Sequence, residues 1–390
     1  MCGVDIFPIF DYVKYNRSLQ KEAEMPNQNI RVAIVLNGNA RGVTSDVINE
    51  LRRHITDEKI YVSSSLEHAK EIAKKIVAAK FDVVMFGGGD GTFGAGISNI
   101  ISLKPNKIPA FGVLRLGTGN AMAEALGVVP YETSLFVVKG IEEELAQAKN
   151  PAARIDQMIL KIGNAYGPFA GMGLDADILR DYRAIKKMLD KIPFLPKKSR
   201  GPADYALAIT AWSFWRYAAN PFIQIVIRNG AKKAYRIDRL GRPQSTVFGP
   251  GEILYRGPAS IAFASTIPYY GWGFKVCPQA NSFLMNVRFQ LRISAMDVWE
   301  TLYSLPAIFS GNLEHPKLWD FACQDITIET LKTPENKRYA KGAPFQISGD
   351  LQNKQSKVRI EVEAIRAVKG SATASPDPQN KETENKKTAT

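Results

Sequence analysis

From residue 31 onward, short apolar runs alternate with stretches whose apolar positions recur at helical spacing. Residues 31–36 (RVAIVL), 60–62, 82–86 (DVVMF) and 110–116 (AFGVLRL) have the length and character of buried strands. Between them, 44–56 places Val47, Leu51 and Ile55 on one helical face, and 66–79 does the same with Leu66, Ala69, Ile72, Ala73 and Ile76. Residues 93–101 and 120–126 complete the helical set. Strands alternating with helices predict an α/β domain over 31–150, with a parallel sheet covered on both faces. Residues 1–30 read as an irregular lead-in.

After residue 150 the pattern changes. β-type runs at 155–162, 222–228, 234–238, 259–265, 283–291, 325–330 and 356–363 are separated by turn signals such as Asn229-Gly230 and Gly249-Pro250-Gly251. Helical stretches interrupt them at 178–190, 203–218 and 295–309. These runs predict a second, mostly antiparallel β-sandwich-like domain over 151–366. Residues 367–390 are polar, nearly free of large apolar side chains, and expected to be a disordered tail. No internal repeat is visible.

Composition narrows the class. With 45% hydrophobic and 23% charged residues, 390 residues bury a core without staples, and wholesale disorder, collagen and coiled coil are excluded. The N-terminus has neither the basic start nor the apolar run of a signal peptide, and no run reaches the roughly 18 apolar residues of a membrane span, so a cytoplasmic protein is expected. Cys2, Cys277 and Cys323 are too few and too far apart for a disulfide framework, and His54, His68 and His315 form no zinc motif. The net charge of +13 belongs to the body of the chain, because the last segment, Gly370 to Thr390, cancels. That charge suits anionic lipid, phosphate-rich small molecules or nucleic acid. Recognition-helix, RNA-recognition and zinc-finger signatures are absent, so no nucleic-acid partner is expected.

Three glycine turns follow the first, third and fourth predicted strands: Asn37-Gly38-Asn39-Ala40-Arg41-Gly42, Gly87-Gly88-Gly89-Asp90-Gly91-Thr92 and Gly117-Thr118-Gly119-Asn120. Ligands of open parallel sheets bind beyond the carboxyl ends of the strands. Glycines there let backbone N–H groups approach an anion, and a helix N-terminus adds a favourable dipole. Three such turns on one edge predict a polyphosphate site. The Walker pattern is absent, since no Gly-Lys pair occurs. Gly89-x-Gly91-x-x-Gly94 fits a dinucleotide fingerprint, but no Asp or Glu lies between Thr92 and Ala123 to take a ribose hydroxyl. Arg115 could meet a 2′-phosphate instead, which keeps an NAD(P)-using enzyme as an alternative. Asp90 decides between these readings. A carboxylate inside a phosphate-cradling turn implies a cation such as Mg²⁺ or a proton-accepting role, and both belong to phosphoryl transfer from ATP.

The ordered set GGGDGT, then GTGN, resembles the diacylglycerol kinase catalytic domain superfamily, which includes sphingosine and ceramide kinases, with NAD kinases and phosphofructokinases as distant relatives. NGNARG resembles the family's NPxxG turn, with Gly38 in place of proline, and Ser63 stands where a nucleotide-contacting Thr is common. GMGLDADILRDYR resembles the segment opening the lipid-binding domain, and PFQISGDL the family's DGE element. The resemblance covers residues 30–365 and implies a diacylglycerol kinase-like fold. It also implies an ATP- and Mg²⁺-dependent lipid kinase, with diacylglycerol as the default acceptor and a sphingoid base or ceramide as the alternative.

On that resemblance, Asn37, Asn39, Gly42, Ser63, Gly88, Gly89, Asp90, Gly91, Thr92, Gly117, Thr118, Gly119 and Asn120 are expected around the nucleotide, with Asp90 near the metal or acting as base. Arg183 and Arg200 are expected at the ATP phosphates, Asp350 as the base for the lipid hydroxyl, and Asp175 or Asp177 at the headgroup. Two positions depart from the pattern. Ala121 follows the GTGN turn where many diacylglycerol kinases carry Asp, as in sphingosine kinases, and Ser348 replaces the first Asp of DGE. If both carboxylates are required for metal, a non-catalytic lipid or nucleotide binder is the alternative.

A lipid kinase without a span docks at a surface. Residues 180–200 hold eight Lys or Arg and two Asp around Ile192-Pro193-Phe194-Leu195-Pro196, a basic segment with an apolar wedge suited to the inner face of an anionic membrane. Residues 203–217 add Leu207, Trp212, Phe214, Trp215 and Tyr217, either as interfacial aromatics or as core. The expected partners are therefore ATP and a membrane lipid, with a homodimer left open.

Overall fold

The computed structural model describes residues 30–372 except 55–58, 131–133, 190–212, 220–221, 272, 333, 335–338 and 340. Its first half is the alternation expected above: β1 (Val32–Asn37), α1 (Ser45–His54), β2 (Lys59–Ser63), α2 (Leu66–Ala79), β3 (Val83–Gly88), α3 (Asp90–Ser102), β4 (Ala110–Arg115), α4 (Ala121–Ala125) and α5 (Ser134–Lys149). Strands β2, β1, β3 and β4 pair in parallel in that order. Ile34, Leu36, Met85 and Leu114 point to one face, under Val47 and Leu51 of α1 and Val138, Ile141, Leu145 and Ala148 of α5. Val35, Phe86, Phe111 and Val113 point to the other, under Ile72, Ala73 and Ile76 of α2 and Phe93 and Ile97 of α3. Both faces of β1, β3 and β4 are therefore buried, which accounts for their unbroken apolar runs. Helix α5 is absent from the elements predicted above, although 138, 141, 145 and 148 repeat at helical spacing.

The second half holds β5 (Arg154–Ile162), β6 (Ala165–Gly167), β7 (Phe169–Gly173), α6 (Leu174–Leu189), α7 (Phe214–Ala219) and β8 (Ile223–Asn229). There follow β9 (Ala234–Ile237), β10 (Pro243–Phe248), β11 (Ile253–Ala259), β12 (Ile261–Ser265), β13 (Phe289–Ser294), α8 (Val298–Tyr303) and α9 (Leu305–Ser310). The last strands are β14 (Leu318–Cys323), β15 (Asp325–Thr330), β16 (Phe345–Ile347), β17 (Asp350–Leu351) and β18 (Lys357–Val368). One antiparallel sheet runs β10-β9-β14-β13-β12-β7-β16-β17. The other strands extend the parallel sheet, giving the order β11-β8-β15-β18-β4-β3-β1-β2, with β5 on β18 and β6 on β5. Ile225, Ile227, Ile326, Ile328 and Ile360 of the extended sheet pack against Met172, Ala264, Phe289, Leu291 and Phe345 of the antiparallel one. The second half is thus a two-sheet sandwich, one of whose sheets continues into the first half.

Strand β18 is the seam. Its first part pairs antiparallel with β15 and its second with β5 from Glu361↔Lys161 to Val368↔Arg154, while Ala367 meets Phe111 of β4 in parallel. The sheet therefore crosses residue 150. The tail expected from residue 367 starts later. Residues 367 and 368 are strand, and the N–H groups of Lys369, Gly370 and Ala372 donate to Ala153, Leu126 and Gly127 carbonyls. The strand expected over 283–291 is also corrected. Phe283–Val287 is a 3₁₀ turn closed by Met285 and Arg288 N–H bonds to Ser282 and Met285, and the strand is Phe289–Ser294. The helix expected over 295–309 is split at Ser304, where Pro306 opens α9. Residues 1–29, the apolar wedge 192–196, most of 203–218 and the tail from 373 lie outside the described residues.

A buried ion pair crosses the antiparallel sheet. Arg292 and Asp320 are paired across β13 and β14, and the guanidinium bonds the carboxylate at 2.8 and 2.9 Å. Removing one charge leaves the other desolvated and uncompensated. Asp320→Asn is expected to destabilise the fold by about 3 kcal/mol, read as a lowered urea midpoint.

Candidate active site

The three glycine turns meet at the carboxyl ends of β1, β3 and β4. Asn37 donates its amide to Thr92 Oγ1 at 3.0 Å, tying the first turn to the start of α3. Asn39 donates to the Ser64 carbonyl, and Gly38 N–H to the Ser63 carbonyl, joining the end of β2. Gly42 N–H donates to the Leu116 carbonyl, in a contact so close that a Cβ would lie 2.8 Å from that oxygen. Gly117 packs on Gly89, where a Cβ would lie 2.3 Å from the Gly89 Cα. Asn120, in the left-handed region at φ 53°, braces Gly117 from both sides, accepting from its N–H and donating to its carbonyl.

Asp90 is the first residue of α3, yet its carboxylate serves α4. Oδ2 accepts from Ala121 N–H at 3.1 Å and Oδ1 from Met122 N–H at 2.7 Å. The side chain is buried, and burial pushes its carboxyl up while the Met122 and Ala121 N–H groups oppose that. Gly89, which caps α3, has no side chain to spend on the helix, so the start of α3 faces the cleft as backbone alone.

The cleft has a volume of about 840 Å³. Of the residues expected to hold nucleotide, Asn37, Asn39, Ser63, Gly89, Asp90, Gly91, Thr92, Gly117, Thr118 and Gly119 line it. Gly42, Gly88 and Asn120 are not among the lining residues and act instead as close-packed supports of the turns. Arg200 lies outside the described residues. Arg115, weighed above for a 2′-phosphate, donates to the Val128 carbonyl and does not line the cleft.

The opposite wall comes from the second half. Ser348-Gly349 is a two-residue hairpin turn between β16 and β17 with both φ angles positive, 53° and 79°, the primed-turn geometry that suits a tight hairpin. It brings Ser348, Gly349 and Asp350 into the cleft lining. A Cβ on Gly91 would lie 2.4 Å from Asp350 Oδ2, so the carboxylate rests directly on the second glycine turn. Arg183 of α6 holds it, donating to Asp350 Oδ1 at 2.8 Å and to the Gly349 carbonyl at 3.3 Å.

Asp175 and Asp177 require correction. They occupy the first turn of α6, are buried, and do not line the cleft. Asp177 pairs with Arg180. Asp175 Oδ2 accepts from Gln346 Nε2 at 2.9 Å, and Gln346 Oε1 accepts from Gly349 N–H at 2.8 Å. Asp175 therefore positions the hairpin that presents Asp350. Gly171 makes room for it, since a Cβ there would lie 1.9 Å from Asp175 Oδ2.

The cleft also has a wall that sequence reasoning did not assign. Leu66, Ala69, Ile72 and Ile76 of α2 face Ala95 and Ile100 of α3, with Phe169, Leu179, Tyr182 and Tyr270 across the mouth. The stripe on α2 is visible in the sequence, but its division between core and cleft is not.

Residues 31–149 match the model of the diacylglycerol kinase catalytic domain. This part of the chain is similar to that family's catalytic domain. The chain is also 31% identical over 122 residues to a "Probable lipid kinase YegS-like" protein of Yersinia pestis (strain Pestoides F), and equally to one of Yersinia pseudotuberculosis serotype O:1b (strain IP 31758). That match spans 29% of this chain and 40% of each relative's length, so the chain covers less than half of these relatives. The fold extends the likeness to both halves. A crystal structure of a diacylglycerol kinase from Bacillus anthracis str. Sterne superposes with a TM-score of 0.57, at 14% identity, over 89% of this chain and 99% of that one. A second crystal structure from the same strain gives 0.56 at 13% identity, over 88% and 99%.

Burial pushes the Asp175 carboxyl up to about 6, ahead of the lowering effect of Gln346. The folded state thus holds this proton more tightly than the unfolded chain. The associated stability is fully present below pH about 4 and is lost as pH rises through about 6. The difference from the ordinary 3.8 corresponds to about 3 kcal/mol. Asp175→Asn keeps an acceptor for Gln346 and carries no charge. Its melting temperature is expected to exceed the wild type's above pH 6, with the gap closing toward pH 4, in paired thermal melts.

Proposed function

We propose that this chain is a lipid kinase that transfers the γ-phosphoryl group of ATP to a lipid hydroxyl, with diacylglycerol as the acceptor and phosphatidic acid as the product. The observation that carries this reading is the meeting of Asp350 with Gly91, a carboxylate from one half of the molecule on the phosphate turn of the other. The reading assigns the nucleotide phosphates to the backbone of Gly89–Thr92 at the start of α3 and to Gly117–Gly119, which line the cleft. The apolar wall suits hydrophobic portions of the reactants.

Asp350 takes the proton of the attacking hydroxyl. The oxygen forms its bond to the γ-phosphorus, the bond from that phosphorus to the bridging oxygen breaks, and ADP leaves. Arg183 and the chain from Asp175 through Gln346 to Gly349 hold that carboxylate in place. No group of three His, Cys, Asp or Glu side chains among the described residues could cage a metal. The two carboxylates that line the cleft, Asp90 and Asp350, would fit Mg²⁺, which is characteristically held by phosphate oxygens, water and one or two carboxylates. Asp350 is the cleft carboxylate beside the phosphate turn, and Asp90 the buried one. These carboxylates would hold a cation that would supply charge neutralisation at the transferring phosphoryl group. The same chemistry implies peripheral contact with a membrane, since the acceptor resides there.

Two substitutions separate chemistry from architecture. Asp350→Asn, on a half-exposed side chain, is expected to keep the melting temperature and lose about 10²- to 10⁴-fold in turnover. The readout is phosphorylated product by mass spectrometry with Mg-ATP and micelles of diacylglycerol, ceramide, sphingosine or monoacylglycerol. Retained turnover removes Asp350 from the mechanism, and the acceptor that gains phosphate names the substrate. Asp90→Asn turns one acceptor into a donor facing an α4 N–H, so it is expected to lower the melting temperature as well as activity.

A further inference from the structure

The second half carries an apolar surface that its core does not use. Helices α8 and α9 are consecutive and short, and Tyr303, Leu305 and Phe309 on them are 91, 45 and 56% exposed. Single exposed apolar residues are ordinary, but a run of large aromatic ones is not. The acids of α8 are engaged within the fold. Asp297 caps Trp299 and Glu300 N–H, and Glu300 bonds Lys317 and the Asp297 N–H. Neither is left to repel an anionic surface.

Beside the end of α9 lies a polar recess of about 250 Å³, lined by Arg239, Lys275, Tyr269 and the Ser310–Asn312 turn. Lys275 has no acidic partner among the described residues, and the Arg239–Glu314 pair is exposed on both sides, so it holds the guanidinium weakly. The recess is flanked by Leu240, 59% exposed, and, next to Ser282, by Phe283, 87% exposed. Basic groups in a hollow among protruding aromatic and aliphatic side chains are complementary to a headgroup phosphate lying above acyl chains.

A line of rings leads from this surface to the cleft. Phe309 contacts Phe274 at 5.8 Å, Phe274 contacts Tyr270 at 6.3 Å, and Tyr270 contacts Phe169 at 5.2 Å. Tyr270 and Phe169 line the cleft, and Gly271 packs on Gly119 of the nucleotide turn. The surface is thus connected through side chains in contact to the place where a lipid hydroxyl must arrive.

We propose that α8, α9 and the adjoining Arg239–Lys275 recess form the face by which this protein docks on an anionic phospholipid bilayer. The aromatic side chains enter the interface and the recess takes a headgroup phosphate. The choice of a bilayer over another apolar partner rests on the lipid-kinase reading. The residues of this face differ from those of the basic segment 180–200 that the sequence singled out. Its anchor is mainly aromatic, so added salt weakens docking less than loss of the rings does.

The test is co-sedimentation of the full chain with phosphatidylcholine vesicles, with and without phosphatidylglycerol. Wild type is compared with Phe283→Ser/Tyr303→Ser and with Lys275→Glu. Phe283 and Tyr303 are the most exposed residues of the face, so their loss leaves the core intact, as circular dichroism checks. The wild type is expected to bind vesicles, more tightly with phosphatidylglycerol. The double variant is expected to bind about tenfold or more weakly, and Lys275→Glu to lose the preference for phosphatidylglycerol. Equal binding by the double variant and wild type, or no binding by wild type, overturns the proposal. So does a dimer, seen by light scattering without vesicles, that the double variant abolishes, because that assigns the face to a second copy. Phosphorylation of a short-chain, monomeric diacylglycerol is measured in parallel. Wild type that binds vesicles but phosphorylates no lipid loses the kinase reading and keeps the docking face. Wild type that phosphorylates the short-chain acceptor but ignores vesicles does the reverse.

Discussion

A buried carboxylate that caps a neighbouring helix holds together the edge of the parallel sheet where the glycine turns meet. Asp90 sits where the chain leaves β3, and its two oxygens take the first N–H groups of α4, which follows β4. Burying that charge is costly, and the two N–H bonds offset the cost only while the turns keep their spacing. The spacing is in turn set by Gly117 against Gly89 and by Asn37 on Thr92, contacts that leave no room for a Cβ at 117. Electrostatics and close packing therefore specify the same geometry.

The second half solves a different problem, which is holding a half-exposed carboxylate still. An exposed ion pair to Arg183 is worth little by itself. Asp350 is held because its hairpin is bolted from below, with Gln346 bridging Asp175 and the Gly349 N–H inside the fold. Placing a buried acid behind the exposed one transfers rigidity from the sandwich to the cleft. The sandwich is rigid because two apolar faces interlock, Ile227, Ile328 and Ile360 against Phe289, Leu291 and Phe345.

Much of this was legible in the sequence wherever the signal is local. The β/α alternation is written in period and run length, and the three glycine turns in composition immediately after strands. What was not legible depends on partners distant in the chain. Residues 356–363 read as another strand of a separate domain, but β18 is longer and pairs with β5, β15 and β4, linking both halves through one sheet. Asp175 and Asp177 read as ligand contacts because they are acids near a family motif; their burial against Gln346 and Arg180 makes them supports instead. The type of residue at position 90 was visible, but not that its oxygens turn toward α4. Helix α5 is the converse case, a periodic stripe overlooked although it is local.

The seam at β18 also sets a chronology. The parallel strands lie early in the sequence and form local β/α contacts, yet the outer edge of β4 has no partner until a strand from far along the chain arrives. Until then an apolar, flat edge is open to other chains, which is the hazard of non-local sheet topologies during synthesis. The hairpin bearing Asp350 lies just ahead of β18 in the chain. The stretch that seals the vulnerable edge is therefore the one that delivers the carboxylate, and a molecule acquires protection from aggregation and a complete cleft in the same late event.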